Sequence, residues 1–125
     1  MSDSMTAAEF LATTTKRGNK YGAVRTTVDG ITFDSKAEAA RYRDLRMMER
    51  AGIIRDLELQ PVFPLIINDQ KVGRYIGDYR YYDKEKEQVI VEDVKSSATR
   101  TAVYRLKVKI VAALYGVDVQ EVTND

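Results

Sequence analysis

The sequence contains no cysteine and no histidine among its 125 residues, and it has only two prolines. The absence of cysteine excludes disulfides, thiolate nucleophiles and zinc–cysteine sites. The absence of histidine excludes the Ser-His and Cys-His catalytic arrangements and removes the usual transition-metal ligand. Any chemistry must therefore use carboxylates, Lys, Tyr, Ser or Thr. Any bound metal should be a hard ion that prefers oxygen ligands, such as Mg²⁺ or Mn²⁺.

Long apolar runs are also missing. No run approaches the length of a membrane span, and the N-terminal residues Met1, Ser2, Asp3 and Ser4 lack the basic start and apolar stretch of a signal peptide. We therefore expect no contact with a membrane and a cytoplasmic location. The length, with 44% hydrophobic and 31% charged residues, fits a single soluble domain that is large enough for a hydrophobic core.

The net charge of +1 argues neither for nor against nucleic acid. The cations are nevertheless concentrated in two stretches without acids: Lys16, Arg17, Lys20 and Arg25 in one, and Lys95, Arg100, Arg105, Lys107 and Lys109 in the other. Such stretches can form a phosphate-binding surface, and they can equally be solvated faces. We expect residues 1–20 to be a flexible basic arm that clasps DNA or is disordered, and residues 21–125 to form the domain.

The N-terminal part of the domain carries clear turn and helix signals. Asp29 and Gly30 lie between two short apolar runs, which predicts a β-hairpin. Ser35 and Glu38 have the spacing of a capping box, and we predict a helix over 36–51. The domain is therefore expected to begin with a hairpin and a helix.

The rest of the chain reads as strands with one more helix. Extended segments are predicted over 57–67, 72–82 and 88–95, a helix over 101–115 and a last strand over 117–122. Four apolar residues on one side of the second helix are expected to face the core: Val103, Leu106, Ile110 and Leu114. The fold class is α/β (α+β), with a mixed sheet flanked by helices in the order helix, three-strand meander, helix, strand.

Two aspartates lie symmetrically about a charged turn. If Asp83 pairs with Gln88 across the turn, the antiparallel register places Asp78 directly opposite Asp93. Directly opposed Cβ atoms lie ~4.5–5.5 Å apart, and opposed like charges are destabilising unless something compensates them. A divalent cation shared by the two carboxylates would do so. The pattern therefore predicts a metal site.

A second interpretation of this pair stays open. Both aspartates can lie solvated on an open face of the sheet, paired with Arg74 or Arg80. The spacing of Asp93 and Lys95 is weak by itself, because an acid two residues before a lysine also occurs elsewhere in the chain. These two residues, however, end an apolar strand that should be buried, where charges are more often functional.

Four short motifs occur in order along the chain: FDSKAE at 33–38, LELQP at 57–61, YIGD at 75–78 and VEDVK at 91–95. Together with the predicted element order they resemble the PD-(D/E)xK nuclease superfamily. Within it, they are similar to a small phage-encoded, endonuclease-like family akin to Holliday-junction resolvases and transposon-end nucleases. The resemblance covers about 20–122 and implies a restriction-endonuclease-like core. Gly77 stands where the family name has proline, and Asp93 replaces the more frequent glutamate.

The resemblance implies specific roles. Glu38, Asp78 and Asp93, with the backbone carbonyl of Val94, would hold one or two Mg²⁺ ions, with Mn²⁺ as an alternative. Lys95 would activate the attacking water and stabilise the developing negative charge. Glu38 has an alternative explanation, because the acid of a capping box needs no metal.

The activity implied is that of a divalent-metal-dependent DNA endonuclease selective for branched or junction DNA. It would act in phage replication, recombination or packaging, in the host cell cytoplasm. The substrate-binding candidates are Gln60, Arg100, Arg105, Lys107 and Lys109. Because so small a domain presents one active site, cleavage of both strands would favour a homodimer. Two alternatives stay open: a non-catalytic nucleic-acid-binding module that keeps the fold, and a partner-binding assembly protein.

Overall fold

A computed structural model describes residues 24–96 and 99–123, which form an α+β fold with a mixed sheet and a helix on each of its faces. The predicted basic arm, with Lys16, Arg17 and Lys20, lies outside the described residues. Neither helix in the described part is long and apolar enough to cross a membrane.

The elements follow the predicted order, from hairpin and helix through the meander to the second helix and last strand. They are β1 (Thr26–Val28), β2 (Ile31–Phe33), α1 (Lys36–Arg50), β3 (Ile54–Leu59), β4 (Val62–Ile67), β5 (Gln70–Ile76), β6 (Tyr79–Asp83), β7 (Gln88–Lys95), α2 (Ala102–Tyr115) and β8 (Gln120–Thr123). The predicted fold class is confirmed.

Both helices begin at a side-chain cap. The Ser35 hydroxyl accepts a hydrogen bond from the Glu38 amide at 3.1 Å, and the Thr101 hydroxyl does the same for the Tyr104 amide at 3.1 Å. Gly116 ends α2 in the left-handed conformation at φ 68°, which a glycine adopts without steric cost. These caps fix where α1 and α2 start relative to the strands beside them.

The main sheet has four strands in the order β3-β6-β7-β8. β6 and β7 are antiparallel, with Asp83 opposite Gln88 and Tyr79 opposite Glu92, so the predicted register is confirmed. β8 returns parallel to β7 after α2, as a crossover connection allows. The last residues of β7 therefore lie between the two helices and next to the beginning of β6.

The predicted strand over 72–82 is interrupted at Gly77 and Asp78. Before this point β5 pairs with β4, and after it β6 pairs with β3, so one long hairpin is divided between two sheets. Hydrogen bonds cross the break from the Gly77 amide to the Pro61 carbonyl (3.0 Å) and from the Gln60 amide to the Asp78 carbonyl (2.9 Å). Gln60 has a left-handed φ of 55°, which marks the same bend on the partner strand.

Gly77 lies at a close approach within this bend. A Cβ atom at this position would meet Val91 Cγ1 at 3.2 Å and Pro61 Cγ at 3.4 Å, so a side chain there would require the neighbours to shift. The glycine thus allows the hairpin to turn away from β7 directly before Asp78.

Two apolar clusters pack on the two faces of the sheet, one under each helix. The cluster under α1 contains Phe33, Ala39, Tyr42, Leu45, Ile54, Tyr79, Tyr81 and Ile90. The cluster under α2 contains Phe63, Leu65, Tyr75, Val91, Tyr104 and Val111. Residues that alternate along β7 therefore enter different clusters, as expected of a strand covered on both faces.

The predicted inward face of α2 is wrong. Val103, Leu106 and Leu114 are 62%, 59% and 42% exposed, and only Ile110 of the four predicted residues packs against the core. The helix instead packs through a stripe of Tyr104, Val108 and Val111. Both sets have helical spacing, and the one that meets the sheet is decided by the angle at which α2 leaves its cap.

Candidate functional site

Asp78 and Asp93 lie next to each other at the point where β6 separates from β7. Their carboxyl groups are close enough for the charge of Asp93 to raise the pKa of the Asp78 carboxyl. The paired register of β6 and β7 ends at Tyr79 and Glu92, and the Asp78 amide donates to the Glu92 carbonyl at 3.0 Å, one residue out of that register. Asp93 is only 3% exposed, so the solvated interpretation is wrong for this residue, and Arg80 pairs with Glu58 at 2.6 Å instead. Folding therefore brings two acids together in a largely desolvated place.

One oxygen of each carboxyl group is held by the protein. The Val94 amide donates to Asp78 Oδ2 at 2.7 Å, and the Tyr75 hydroxyl donates to Asp93 Oδ2. These bonds orient both side chains, as the neighbours of metal-binding carboxylates commonly do. The Oδ1 atoms take no part in these two bonds, and that of Asp93 lies 3.7 Å from Lys95 Nζ.

The environment of Asp78 opposes its ionisation. Burial raises the pKa of its carboxyl well above the ordinary value, and the negative charges of Asp93 and Glu38 raise it further. The hydrogen bond from the Val94 amide acts in the opposite direction but is the smallest contribution. A cation bound between the two carboxyl groups would offset the free-energy cost of ionising Asp78.

Glu38 is electrostatically part of the same site. Burial, followed by repulsion from Asp34 and Asp93, raises the pKa of its carboxyl to about 7, while Lys95 lowers it. Ser35 caps the helix through its own hydroxyl, but in the described chain the reciprocal bond from the Ser35 amide to the Glu38 carboxylate is not formed. The capping box is therefore only half made, and the Glu38 carboxylate is not needed for it.

Lys95 lies close to both an acid and an aromatic ring. Its Nζ is 3.7 Å from Asp93 Oδ1 and 4.3 Å from the centre of the Tyr104 ring. The side chain is 18% exposed, so the ammonium group is held beside the aspartate pair yet can be reached from solvent. The predicted association of Asp78, Asp93 and Lys95 is thus found in the structure.

The full acidic group implied by the resemblance is not formed. Among residues 24–96 and 99–123, no three acidic side chains are arranged to hold a metal ion together. The pair Asp78 and Asp93 nevertheless fits Mg²⁺, which is usually bound by one or two carboxylates with waters and substrate phosphates. Coordination by Glu38 and by the Val94 carbonyl stays a prediction.

A salt bridge that no sequence pattern predicted lies behind this site. Arg41 of α1 donates to Glu92 of β7, which is 3% exposed and also accepts from the Tyr81 hydroxyl. Glu92 thus faces α1, whereas its neighbour Asp93 faces Tyr75, and this opposite orientation agrees with the period of two along a strand. No local pattern could have indicated Arg41, because the two partners are far apart in sequence.

A cleft of about 320 Å³ opens beside Asp93 and Lys95, between β5 and the first turns of α2. Lys107 is the one member of the predicted substrate-binding set that lines it. Arg74, Tyr75 and Tyr104 also line it and were not predicted. Tyr75 could have been recognised as an inward residue two positions before Gly77, but its hydrogen bond to Asp93 depends on the bend.

The other predicted substrate-binding residues lie elsewhere. Arg100 pairs with Glu121 of β8 at 3.0 Å. Arg105 and Lys109 are exposed on α2 outside the cleft lining. Gln60 lies at the bend, where its amide bonds to the Asp78 carbonyl. Contact of these four residues with a substrate stays a prediction, and the pairing of Arg100 gives it a structural role.

The fold and site define a small α+β protein with a mostly buried aspartate pair, an adjacent lysine and a basic cleft. A family model described as "Protein of unknown function (DUF1064)" matches residues 18–122, and the chain belongs to this family. No curated protein and no solved structure was found to match the chain.

Proposed function

We propose that this protein is a divalent-metal-dependent endonuclease that hydrolyses phosphodiester bonds in DNA. The observation that supports this most strongly is the aspartate pair Asp78 and Asp93, with Lys95 Nζ 3.7 Å from Asp93 Oδ1. Asp93 and Lys95 both line the basic cleft, so a phosphate bound there would lie beside them. The four motifs that resemble the PD-(D/E)xK superfamily, two of which contain these three residues, support the same chemistry.

The residues of the site divide the chemical work. A bound Mg²⁺ or Mn²⁺ supplies a water of lowered pKa and neutralises phosphate charge. Asp78 and Asp93 would hold the ion through oxygens that the Val94 amide and the Tyr75 hydroxyl leave available. The Lys95 ammonium orients the attacking water and stabilises negative charge on the phosphate, and it needs no histidine for this.

The substrate class that we propose is branched or junction DNA in phage replication, recombination or packaging, on the strength of the resemblance to junction resolvases. Paired cuts in such a substrate would require two copies of the chain, because each copy offers one site. A homodimer is therefore part of this proposal for double-strand cleavage and is not needed for nicking.

A second candidate is a nucleic-acid-binding module that does not cleave. One observation favours it: the acidic side chains of the described residues form a pair at the site and not a group of three. In this case the cleft would bind a phosphate backbone and the aspartate pair would be a remnant of the nuclease site.

Cleavage assays separate these candidates. Supercoiled plasmid, linear duplex, flap and four-way-junction DNA are incubated with Mg²⁺ or Mn²⁺ and wild-type protein, Lys95→Ala or Asp78→Asn. Lys84→Ala and Asp69→Asn, both exposed in turns away from the site, are the matched controls. Cleavage by the wild type and controls but not by the two site variants supports the enzyme. Cleavage that persists in both site variants rejects the site.

Binding without cleavage of any substrate supports the non-catalytic module. A wild type that neither binds nor cleaves DNA contradicts both candidates and leaves the partner-binding assembly protein as the better interpretation.

A further inference from the structure

The cleft beside the aspartate pair is lined by more positive than negative charge. Arg74, Lys95 and Lys107 contribute cations, and Asp93 contributes the acid. Its volume of about 320 Å³ is at the lower end of the range for ligand pockets, ~300–1,000 Å³. The cleft can therefore take a small charged group or one unit of an extended strand.

Two of these cations have no acidic partner. Lys95 lies near Asp93, but none of the ion pairs formed among the described residues includes Arg74 or Lys107. Both side chains are only partly exposed. Unpaired cations that converge on a cleft with low-dielectric walls concentrate an attractive potential for anions. The charges of the cleft thus favour a negatively charged ligand.

We propose that Arg74 and Lys107 bind a backbone phosphate of a DNA strand, next to the phosphate that is placed at Asp78 and Asp93. This inference deepens the function proposed above and rests on it for the identity of the ligand as DNA. A planar guanidinium and a mobile ammonium group are the two side chains that commonly bind phosphate oxygens. The strand would enter along Tyr75 and Tyr104, whose side chains also line the cleft.

If Lys107 binds phosphate, the cations of α2 have different roles. Lys107 lies on the side of α2 that meets the cleft, whereas Arg105 and Lys109 point to solvent outside it. The three cations of α2 therefore do not act as a uniform positive surface, and Lys107 should account for most of their effect on strand binding.

The test is binding of a fluorescent oligothymidylate in the presence of a chelator, so that no metal is available for cleavage. Lys107→Ala and Arg74→Ala should each weaken binding by about 5- to 10-fold at low salt and reduce the slope of log K against log[salt] by ~0.7. Lys86→Ala and Arg43→Ala carry the same change in charge at exposed positions elsewhere and should bind like the wild type. Inorganic phosphate should compete with the oligonucleotide more strongly than chloride at equal ionic strength.

Several outcomes would overturn the proposal. Wild-type protein that binds neither oligothymidylate nor phosphate contradicts it, as do Lys107→Ala and Arg74→Ala proteins that bind like the wild type. An equal loss in Lys109→Ala would place the contact on the exposed surface of α2 and not in the cleft. Thermal unfolding of each variant confirms that a loss of binding is not a loss of fold.

Failure of this proposal is distinguishable from failure of the proposed activity. Metal-free binding that depends on Lys107 and Arg74, without cleavage of any DNA, supports the phosphate site and rejects the endonuclease. Cleavage that requires Lys95 and Asp78 but is unaffected by Lys107→Ala and Arg74→Ala supports the endonuclease and rejects the phosphate site.

Discussion

Arg41 of α1 binds Glu92 of β7 through two hydrogen bonds, Nε to Oε1 at 2.8 Å and Nη2 to Oε2 at 2.6 Å. Arg41 lies one helical turn after Glu38, and Glu92 directly precedes Asp93. The salt bridge therefore fixes the helix that carries one acid of the site against the strand that carries another. Its side chains are 24% and 4% exposed, so most of the contact is removed from water.

Arg41→Ala should destabilise the protein by ~3 kcal/mol, because it leaves the Glu92 carboxylate buried without its charged partner. The matched control is Arg80→Ala, which breaks an exposed pair with Glu58 of similar length, 2.6 Å. That loss should be about 1 kcal/mol or less. Chemical denaturation of both variants measures the difference. Equal losses of stability in Arg41→Ala and Arg80→Ala would contradict a larger contribution from the buried pair.

The metal-free protein should become less stable as the pH rises from about 4.5 towards neutrality. The pKa of Glu38 is 4.5 in the unfolded reference and about 7 in the fold. A raised carboxyl pKa means that the fold favours the protonated form, so this contribution is complete below pH 4.5 and is lost between pH 4.5 and about 7. Asp78, whose pKa is also raised, acts in the same direction.

Glu38→Gln isolates this effect. Between about pH 5 and about pH 8 the wild type should lose on the order of 2 kcal/mol of unfolding free energy relative to Glu38→Gln, after allowance for partial exposure. Denaturant titrations at several pH values, in the presence of a chelator, measure the two curves. Parallel curves for the two proteins would show that Glu38 does not titrate in this way.

Mg²⁺ or Mn²⁺ should stabilise the wild type at about pH 8 by ~1.4 kcal/mol when the metal is present at ten times its dissociation constant. The shift should be absent in Asp78→Asn, which lacks one carboxylate of the pair. It should be retained in Asp69→Asn, whose side chain is exposed in a turn. Thermal unfolding with and without metal gives the result independently of any cleavage.

Tyr75→Phe removes the hydroxyl that donates to Asp93 Oδ2 and leaves the ring in the core. Loss of a group that orients a metal-binding carboxylate typically weakens metal affinity by ~10–100-fold. Calorimetric titration with Mn²⁺ should show this loss. Unchanged affinity would indicate that Asp93 does not need the tyrosine to face a metal.

The corrected face of α2 predicts unequal effects of two truncations. Val111→Ala should cost ~1–3 kcal/mol, because Val111 is fully buried in the cluster under α2. Leu106→Ala removes a larger side chain but should change stability by less than ~0.5 kcal/mol, since Leu106 is 59% exposed. If chemical denaturation shows a larger loss of stability for Leu106→Ala than for Val111→Ala, then α2 packs against the core through the face predicted from the sequence.

The parts of this fold that the sequence predicted correctly are those fixed by local chemistry. The cap at Ser35 and the turn between Asp83 and Gln88 depend on neighbouring residues. Once that turn is set, the register of β6 and β7 follows as far as Tyr79 and Glu92, which places Asp78 near Asp93. The core of the candidate site was therefore predictable from the sequence.

The parts that were missed depend on contacts between distant segments. Each half of 72–82 continues a strand pattern, so nothing local shows that β5 and β6 pair with different partners. Apolar residues of α2 fall into two stripes with helical spacing, and packing against the sheet selects one of them. Arg41 and Glu92 meet only because α1 crosses β7 at a particular angle.

The bend at Gly77 and Asp78 separates the part of the hairpin whose length can change without moving the site from the part whose length cannot. Beyond the bend, β4 and β5 can be lengthened or shortened in pairs at their tip without a change in the position of Asp78, since the bend is fixed by bonds from Gly77 and Gln60. A single residue inserted at the bend would instead turn Asp78 to the opposite face of the sheet. Length variation among family members should therefore concentrate at Asn68 and Asp69, and the two residues of the bend should keep their spacing to β7.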